Sequence, residues 1–518
     1  VQSSITFPRL PLDGLLRRAA ERDPDGCALR TAEGALTFAE LDALTDRFAA
    51  CVAHLTGRPG ARIGVANTLG PEFPAAYYGA VRGGGTAVLV NPLIKEAGLL
   101  HVFSAAAVEV AFVPAATAEL LGGLRERLPA LRAVVVVGPE ADGLPGGLTG
   151  ARFPVADPGA DACVQFTTGT TGRPRGVRLS HRNLVANAAQ TAAAHRLDGG
   201  SVTLNHLPLF HTMHLNSAVF AGATQVLCTS PDPLASLALA ARTGATHYYG
   251  LPARLHRLAG QLAQAGPGAE GVPAGPALTA VLSGGTALAP ATAAALSARL
   301  GVPVVQGYGM AELSPLSHSQ STDGGPAGSV GRAVPGTECR VVDLEGRRPL
   351  GVCATGEVQV RGPQLMAGYL DPAEDSGVDA EGWLSTGDIG YVDEHGELFL
   401  VDRIGDVFKY DNELVSPTTV ESVLAEDPRV ADCVVTGWPD PVHGAVTWAG
   451  IVLREPYAPR LLDTLDSIVD GANRRLARFE RIRRVEVVDA VPRTPVGKPE
   501  RRRLRQALHS RAALEAAV

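Results

Sequence analysis

The chain has 518 residues, 46% of them hydrophobic, with a formal net charge of -7 and a pI near 6.0. That length supports a large core and about three or four domain-sized units. The acidic balance argues against a general affinity for nucleic acid.

No charged segment leads into an apolar run at the N-terminus, so no signal peptide is expected and the reading is cytoplasmic. The most apolar stretch, Ser104 to Leu121, is broken by Glu109 and Glu119, which argues against a membrane span. Seven cysteines, at 27, 51, 163, 228, 339, 353 and 433, are scattered and never form a Cys-x-x-Cys pair. They read as reduced thiols with no zinc site. Residues 1–160 alternate helical patterns, such as Thr37–Leu55 and Glu72–Arg82, with apolar runs at Arg62–Ala66, Thr86–Val90, Val108–Phe112 and Ala133–Val137. That alternation predicts an α/β layout around a largely parallel sheet.

The next stretch, Phe166-Thr-Thr-Gly-Thr-Thr-Gly-Arg-Pro-Arg-Gly-Val177, is the centre of the chain. Its glycines let the backbone turn tightly and approach a ligand. Successive amide N–H groups in such a turn form an anion nest, and hydroxyls and guanidinium groups add charge-assisted contacts to phosphate. It reads as a phosphate-gripping loop. No Gly-Lys-Ser/Thr closes it, so it is not the common nucleotide P-loop. An ordinary Gly/Thr hairpin loop is the competing reading. Ser180 can cap the helix that follows.

Residues 180–320 repeat the α/β alternation, with strands at Gln225–Cys228, Ala280–Ser283 and Val304–Gln306 and helices at Pro233–Arg242 and Pro290–Leu300. Two of these strands end in glycines: Val281-Leu-Ser-Gly-Gly-Thr286 and Val304-Val-Gln-Gly-Tyr-Gly-Met-Ala-Glu-Leu313. Ligands of open α/β sheets bind beyond the carboxyl ends of strands. Tyr308, between two glycines, suits stacking on a flat base, and Glu312 could hold Mg²⁺ through an oxygen. Taken singly, a packed aromatic and a solvated carboxylate explain these two residues as well. The Gly/Pro/Ala stretch 265–277 reads as a surface loop.

From about 325 to 402, short strands such as Glu338–Val342 and Glu357–Arg361 between Gly/Pro turns suggest an antiparallel β-subdomain. The residues after 402 look separate. Ser416-Pro417 starts a helix, Val434-Val435, Ala445–Leu453 and Val485–Val488 read as strands, and Leu461–Ala477 and Arg501–Ala517 read as helices. Only Lys95, Lys409 and Lys498 among the 46 basic residues are lysine. A lysine here is therefore more informative than usual, and Lys498 sits on the Pro/Gly loop Arg493-Thr-Pro-Val-Gly-Lys-Pro499.

These stretches, in this order, resemble the ANL superfamily of adenylate-forming enzymes, on the branch of 4-coumarate–CoA ligases and firefly luciferase. The resemblance runs from about residue 30 to the end. Besides the Gly/Thr loop it rests on Phe210-His211, Gln306-Gly-Tyr-Gly-Met310, Arg361-Gly-Pro-Gln364, Thr386-Gly-Asp388 with Asp402-Arg403, and Thr494 to Lys498. It implies a large N-terminal domain, 1–402, of α/β layers plus a β-subdomain, and a small mobile α+β C-terminal domain, 403–518. It also implies two steps. A carboxylate attacks the α-phosphorus of ATP to give acyl-AMP and pyrophosphate, and a thiol, usually coenzyme A, then displaces AMP.

By the same resemblance Thr167, Thr168, Gly169, Thr170, Thr171, Gly172 and Arg175 hold the terminal phosphates. Gly284, Gly285 and Thr286 border the adenine, Tyr308 stacks on it, and Met310 and Ala311 follow in the same nucleotide loop. Glu312 binds Mg²⁺, and Asp388 and Arg403 bind the ribose. Lys498 bridges carboxylate and α-phosphate, where a compact ammonium fits better than a guanidinium fork. His211 sits beside the carboxylate, and Met213, Gly307, Gly309 and Leu313 line the acyl pocket. Gly405 is the hinge, and Lys409, Tyr410, Asp411, Asn412 and Glu413 reach the CoA tunnel.

The chain departs from the family pattern at several points. Arg175 replaces a lysine, Thr168 a serine, Gly405 an Asp or Lys, and Asp411-Asn412 a pair ending in glycine. Ala311 replaces a threonine that touches the α-phosphate. Thr212 stands where amino-acid-activating relatives place an aspartate, which argues against α-amino acids. The sequence leaves several activities open. They are an acyl-CoA ligase, an acyl-AMP ligase loading a carrier protein, an enzyme of the thioesterifying half alone supplied with acyl-AMP by a partner, a luciferase-like oxidoreductase, and a non-catalytic nucleotide or acyl-AMP binder.

Overall fold

The structure of the protein, a computed structural model, describes residues 5–138, 141, 142, 144, 153, 155–168, 174–206, 211–264, 275–411, 413–454, 461–493 and 499–516. The chain divides into two compact units. The first comprises Val1–Cys339, Val360–Leu384 and His395–Leu398, and the second comprises Arg340–Gln359, Ser385–Glu394 and Phe399–Val518.

Two sheets build the first unit. In one, Arg62–Ala66, Thr86–Val90, Val110–Val113 and Ala133–Gly138 run parallel, and Asp161–Thr168 joins beside Thr86–Val90. Parallel strands are covered on both faces and so read as continuous apolar runs; Ile63, Val65, Val88 and Phe112 are fully buried. The helix Phe38–Thr56 starts with a capping box. Thr37 accepts from the Glu40 N–H at 3.1 Å, and the Glu40 carboxylate accepts from the Thr37 N–H at 2.8 Å. Asp161–Thr168 then pairs antiparallel with Pro174–Ser180, placing Thr167 opposite Arg175 at the two ends of the Gly/Thr stretch.

In the other sheet Cys27–Arg30, Thr224–Leu227, Val202–Asn205, His247–Gly250, Ala280–Ser283 and Val304–Gly309 are parallel neighbours in that order. Register aligns Asn205 with Tyr249, Tyr249 with Leu282 and Leu282 with Val305, and then Gly250 with Ser283 and Ser283 with Gln306. His247–Gly250 and Ala280–Ser283 therefore finish level, Val202–Asn205 stops one residue short of them, and Val304–Gly309 runs three residues past them.

The second unit takes most of a four-stranded sheet, Glu338–Val342, Gly356–Arg361, Leu384–Val392 and Leu398–Arg403. It also holds a five-stranded sheet centred on the long pair Val430–Asp440 and Gly444–Leu453, packed on a core that includes Val420, Leu424, Val435, Trp448, Ile451 and Ile468.

The α/β architecture is the one the sequence predicts. Differences lie at element ends. The helix expected to reach Ala477 stops at Asn473, whose side chain instead bonds the Ile482 N–H at 2.8 Å and the Ile482 carbonyl at 3.0 Å. The strand read at Val434-Val435 extends over Val430–Asp440. Of the expected loop 265–277, residues 265–274 lie outside the described residues.

Candidate active site

In the first unit the strand Val304–Gly309 ends where only glycine fits. A Cβ on Gly309 would sit 1.9 Å from the Pro315 carbonyl oxygen. That close approach lets the chain double back through a short 3₁₀ turn, Ala311–Leu313, which is buried. Glu312, in the middle of the turn, is 3% exposed. A buried carboxylate needs partners, and it has them. The Tyr369 hydroxyl donates to Oε1 at 2.8 Å, and an Arg175 nitrogen lies 3.5 Å from the same oxygen. The Arg175 guanidinium also stacks over the Tyr369 ring at 4.1 Å. The Tyr369 phenol is raised by burial and by the Glu312 charge, so it stays protonated and donates.

One N–H of this cluster is unsatisfied. Arg175 Nε is buried with no hydrogen-bond partner among the described residues. A buried guanidinium N–H at the foot of a Gly/Thr loop is a ready donor to an anion.

The neighbouring strand ends are tied together. Gln306 Oε1 accepts from the Leu288 N–H at 2.8 Å, and the Gln306 N–H donates to Gln320 Oε1 at 2.8 Å. Gly284 and Thr286 are half-buried and Gly285, at φ +87°, is exposed, so this turn presents its backbone to a ligand. Tyr308 is half-buried, with its ring 6.0 Å from that of His318.

His211 caps the helix Thr212–Ala221, its Nδ1 accepting from the Met213 N–H at 3.2 Å. That bond leaves the imidazole proton on Nε2. Burial lowers this imidazole to about 4, so it is neutral at physiological pH. Leu313 is fully buried and Met213 half-buried.

In the second unit Asp388, 6% exposed, follows Gly387, which takes φ +72°. Arg403 Nε reaches the Asp388 carboxylate at 2.9 Å. The adjacent Asp402 serves the fold: its Oδ2 accepts from the Ser416 hydroxyl and the Thr418 N–H, both at 2.9 Å, where the helix Pro417–Ala425 begins. Gly405 is exposed, and a Cβ there would meet nothing within 4 Å. Lys409, Asp411 and Glu413 are exposed, whereas Tyr410 is 5% exposed. The Tyr410 ring lies between the Arg483 guanidinium, at 4.0 Å, and the His443 ring, at 4.4 Å, and His443 Nδ1 is 2.8 Å from Asp411 Oδ1. Gly169, Thr170, Thr171, Gly172, Asn412 and Lys498 lie outside the described residues, as does the Thr168 side chain.

The structure thus brings Arg175 to Glu312 and Arg403 to Asp388. It adds Tyr369, which sequence reading missed. The only signal was an aromatic after Gly368, and nothing in the spacing tied it to Glu312. Gln364, read as part of a motif, is a fully buried hub bonded to Thr337 at 2.6 Å and Gln190 at 3.1 Å.

The AMP-binding enzyme family matches residues 16–370, and the AMP-binding enzyme C-terminal domain matches residues 419–498. 4-Coumarate–CoA ligase 2 of Oryza sativa subsp. japonica is 32% identical over 531 residues, covering 95% of this chain and 91% of that protein. The anthranilate CoA ligase AuaEII, solved with anthranoyl-AMP, superposes with a TM-score of 0.85 at 26% identity, covering 98% of this chain and 99% of that one. The amide bond synthetase McbA from Marinactinospora thermotolerans gives 0.84 at 27% identity, covering 96% and 99%. A strand-end site with a buried, arginine-paired carboxylate, carried on a chain that these families match over residues 16–370 and 419–498, has one consistent assignment: the protein belongs to the AMP-binding enzyme family of the ANL superfamily and is an adenylate-forming ligase.

Proposed function

We propose that the chain is an acyl-CoA ligase. In the first half-reaction a carboxylate oxygen attacks the α-phosphorus of ATP, the bond to the bridging oxygen breaks, and pyrophosphate leaves. In the second, the CoA sulfur attacks the acyl carbon, and AMP leaves with the bonding electrons. The observation that carries this reading is the Arg175–Tyr369–Glu312 cluster, whose buried Arg175 Nε–H has no partner among the described residues. A carboxylate and a triphosphate repel each other, so fixed positive groups and dipoles must stand where charge develops.

Glu312 fits a magnesium site. It is a single buried carboxylate with hard oxygen donors, and Mg²⁺ is commonly held by one or two carboxylates with water and substrate phosphate completing its shell. When bound, the ion would neutralise phosphate charge. Arg175 and the Thr167–Gly172 loop would hold the terminal phosphates, Asp388 with Arg403 the ribose, and Tyr308 with Gly284 to Thr286 the adenine. His211, neutral, would sit beside the carboxylate without adding charge. Lys498 would serve the first step and leave for the second, with Gly405 as the hinge.

A second reading has an amine instead of CoA as the acyl acceptor. It is favoured by the packing at the expected CoA approach, where Arg483 and His443 stack on Tyr410 and Asp411 bonds the His443 imidazole, and McbA is an amide bond synthetase. A screen of carboxylic acids with ATP and either CoA or simple amines, products read by mass, tests both. Acyl-CoA is the expected product. Amide formation with no thioester would select the second reading, and neither product would overturn both.

A further inference from the structure

Resting on the reading that Lys498 serves acyl-AMP formation, we infer that Arg501 is a positioning residue for it. By gripping Glu421 and Asp406 together, Arg501 fixes the frame from which Lys498 is presented. All of these residues belong to the second unit.

Arg501 stands three residues after Lys498 and opens the helix Arg501–Ala516. Its guanidinium meets carboxylates from two other elements. Nη2 donates to Glu421 Oε2 at 2.5 Å, and Nη1 lies 3.6 Å from Asp406 Oδ2. One helical turn on, Arg505 Nη2 donates to the other Asp406 oxygen at 3.1 Å. Glu421 lies on the helix Pro417–Ala425, and its Oε1 accepts from the Val435 N–H at 2.7 Å, so the network ends on the strand Val430–Asp440. Asp406 directly follows Gly405, the residue assigned as the hinge.

The chain before Lys498 is tied to the same strand. Arg493 Nη2 lies 2.7 and 2.9 Å from the two oxygens of Asp432. Arg493 and Pro499 pair as an antiparallel bridge, and the Glu500 N–H donates to the Pro492 carbonyl at 2.9 Å. The residues on either side of 494–498 are thus joined to each other and to the sheet.

Stability alone does not account for this network. Burial pushes the Asp406 and Glu421 carboxyls upward against the pull of Arg501. The Nε atoms of Arg501 and Arg505 are buried with no partner among the described residues. Well-packed apolar residues often stabilise a fold as well as buried ion pairs do. What a grip on two carboxylates fixes is the register of the helix, and with it the point from which Lys498 departs. A guanidinium can span both acids, whereas a single ammonium cannot reproduce that geometry.

The test measures the half-reactions separately in the full chain. One assay is acid-dependent ATP–pyrophosphate exchange with an acid found active in the screen. The other is acyl transfer from supplied acyl-AMP to the acceptor that the screen selects. Arg501→Lys keeps a cation beside Glu421 but gives up the double grip. It should lower kcat for exchange by about tenfold or more, because a small misplacement of a reacting group is costly. KM for ATP and acid should change little, and acyl transfer should be largely kept. Glu421→Gln, altered on a different helix, should act in the same direction, and it decides the matter if Arg501→Lys fails to fold. In a Lys498→Ala background, Arg501→Lys should add little to the loss, since residues that act as a unit are not additive. Normal exchange in both variants, equal loss of both half-reactions, or a full further loss in the Lys498→Ala background would overturn the inference and leave the role of Lys498 standing. Unchanged exchange in Lys498→Ala itself would overturn that role and this inference with it.

Discussion

The two units hold their chemistry in different ways. In the first, Glu312 is buried, gripped by Tyr369 and Arg175, and carried on a turn that Gly309 alone permits. In the second, several of the corresponding groups are exposed: Arg403 ends a strand, Gly405 stands in the turn after it, and Lys409 and Asp411 lie in the hairpin Phe408–Val415. Groups interlocked with the core are preorganised, which stabilises developing charge without reorganisation during reaction. Groups on exposed turns can be exchanged between steps. On this account the first unit supplies the fixed surroundings of the phosphates in both steps, and the second decides which half-reaction is in progress by which of its groups it offers.

The largest expected effect lies in the second unit. Lys498→Ala should slow acyl-AMP formation by about a hundred- to a thousandfold, the usual loss for one fixed transition-state donor. Thioester formation from supplied acyl-AMP should be largely kept. Equal loss of both half-reactions, measured separately, would break the division between the units.

In the first unit the sharpest test is Ala311, which opens the 3₁₀ turn beside Glu312 and is 9% exposed. A threonine hydroxyl donating to phosphate contributes roughly 1.5–3 kcal/mol. Ala311→Thr should therefore speed pyrophosphate release by roughly ten- to a hundredfold and affect the second step less. Brisk native release, unchanged by the added hydroxyl, would show that the turn backbone already compensates.

A smaller effect is expected at Tyr369. Tyr369→Phe removes the donor to Glu312 but keeps the ring under Arg175. It should raise the Mg²⁺ concentration for half-maximal rate by about threefold to tenfold, the range of a typical net hydrogen bond of about 0.5–1.5 kcal/mol, and weaken Mn²⁺ binding in the presence of ATP. A loss of thermal stability with unchanged metal dependence would make Tyr369 structural only.

A last expectation concerns stability against pH, apart from the half-reactions. Burial lowers His195, His206 and His318 to about 3 in the folded protein. Because the folded values lie below the ordinary value of 6.5, the stability these groups allow is complete above about pH 6.5 and is lost as pH falls toward 3. At pH 5 each costs about 2 kcal/mol. The apparent urea midpoint should fall between pH 7 and 5, and less steeply in His318→Gln. A flat native profile would contradict the buried neutral imidazoles.

Much of the fold is legible in the sequence, for local reasons. Arg62–Ala66, Thr86–Val90 and Ala280–Ser283 are apolar because both faces are covered, and Pro290 and Gly301 bracket a helix as initiator and left-handed cap. Of the candidate site, residues singled out in the sequence are found paired, Arg175 with Glu312 and Arg403 with Asp388. The site was not legible where a contact spans the chain without a pattern. Tyr369 reaches Glu312 from a two-residue strand, and Tyr249 meets His214 only because the sheet and the helix pack there. Nothing in the local sequence around either tyrosine encodes such a pairing.

The most direct test of adenylation by this chain is the identity of its nucleotide product. With ATP, Mg²⁺, an acid found active in the screen, and CoA, chromatography of the nucleotides should show AMP rising in step with pyrophosphate and dependent on the acid. Acid-dependent accumulation of ADP and phosphate would contradict the account.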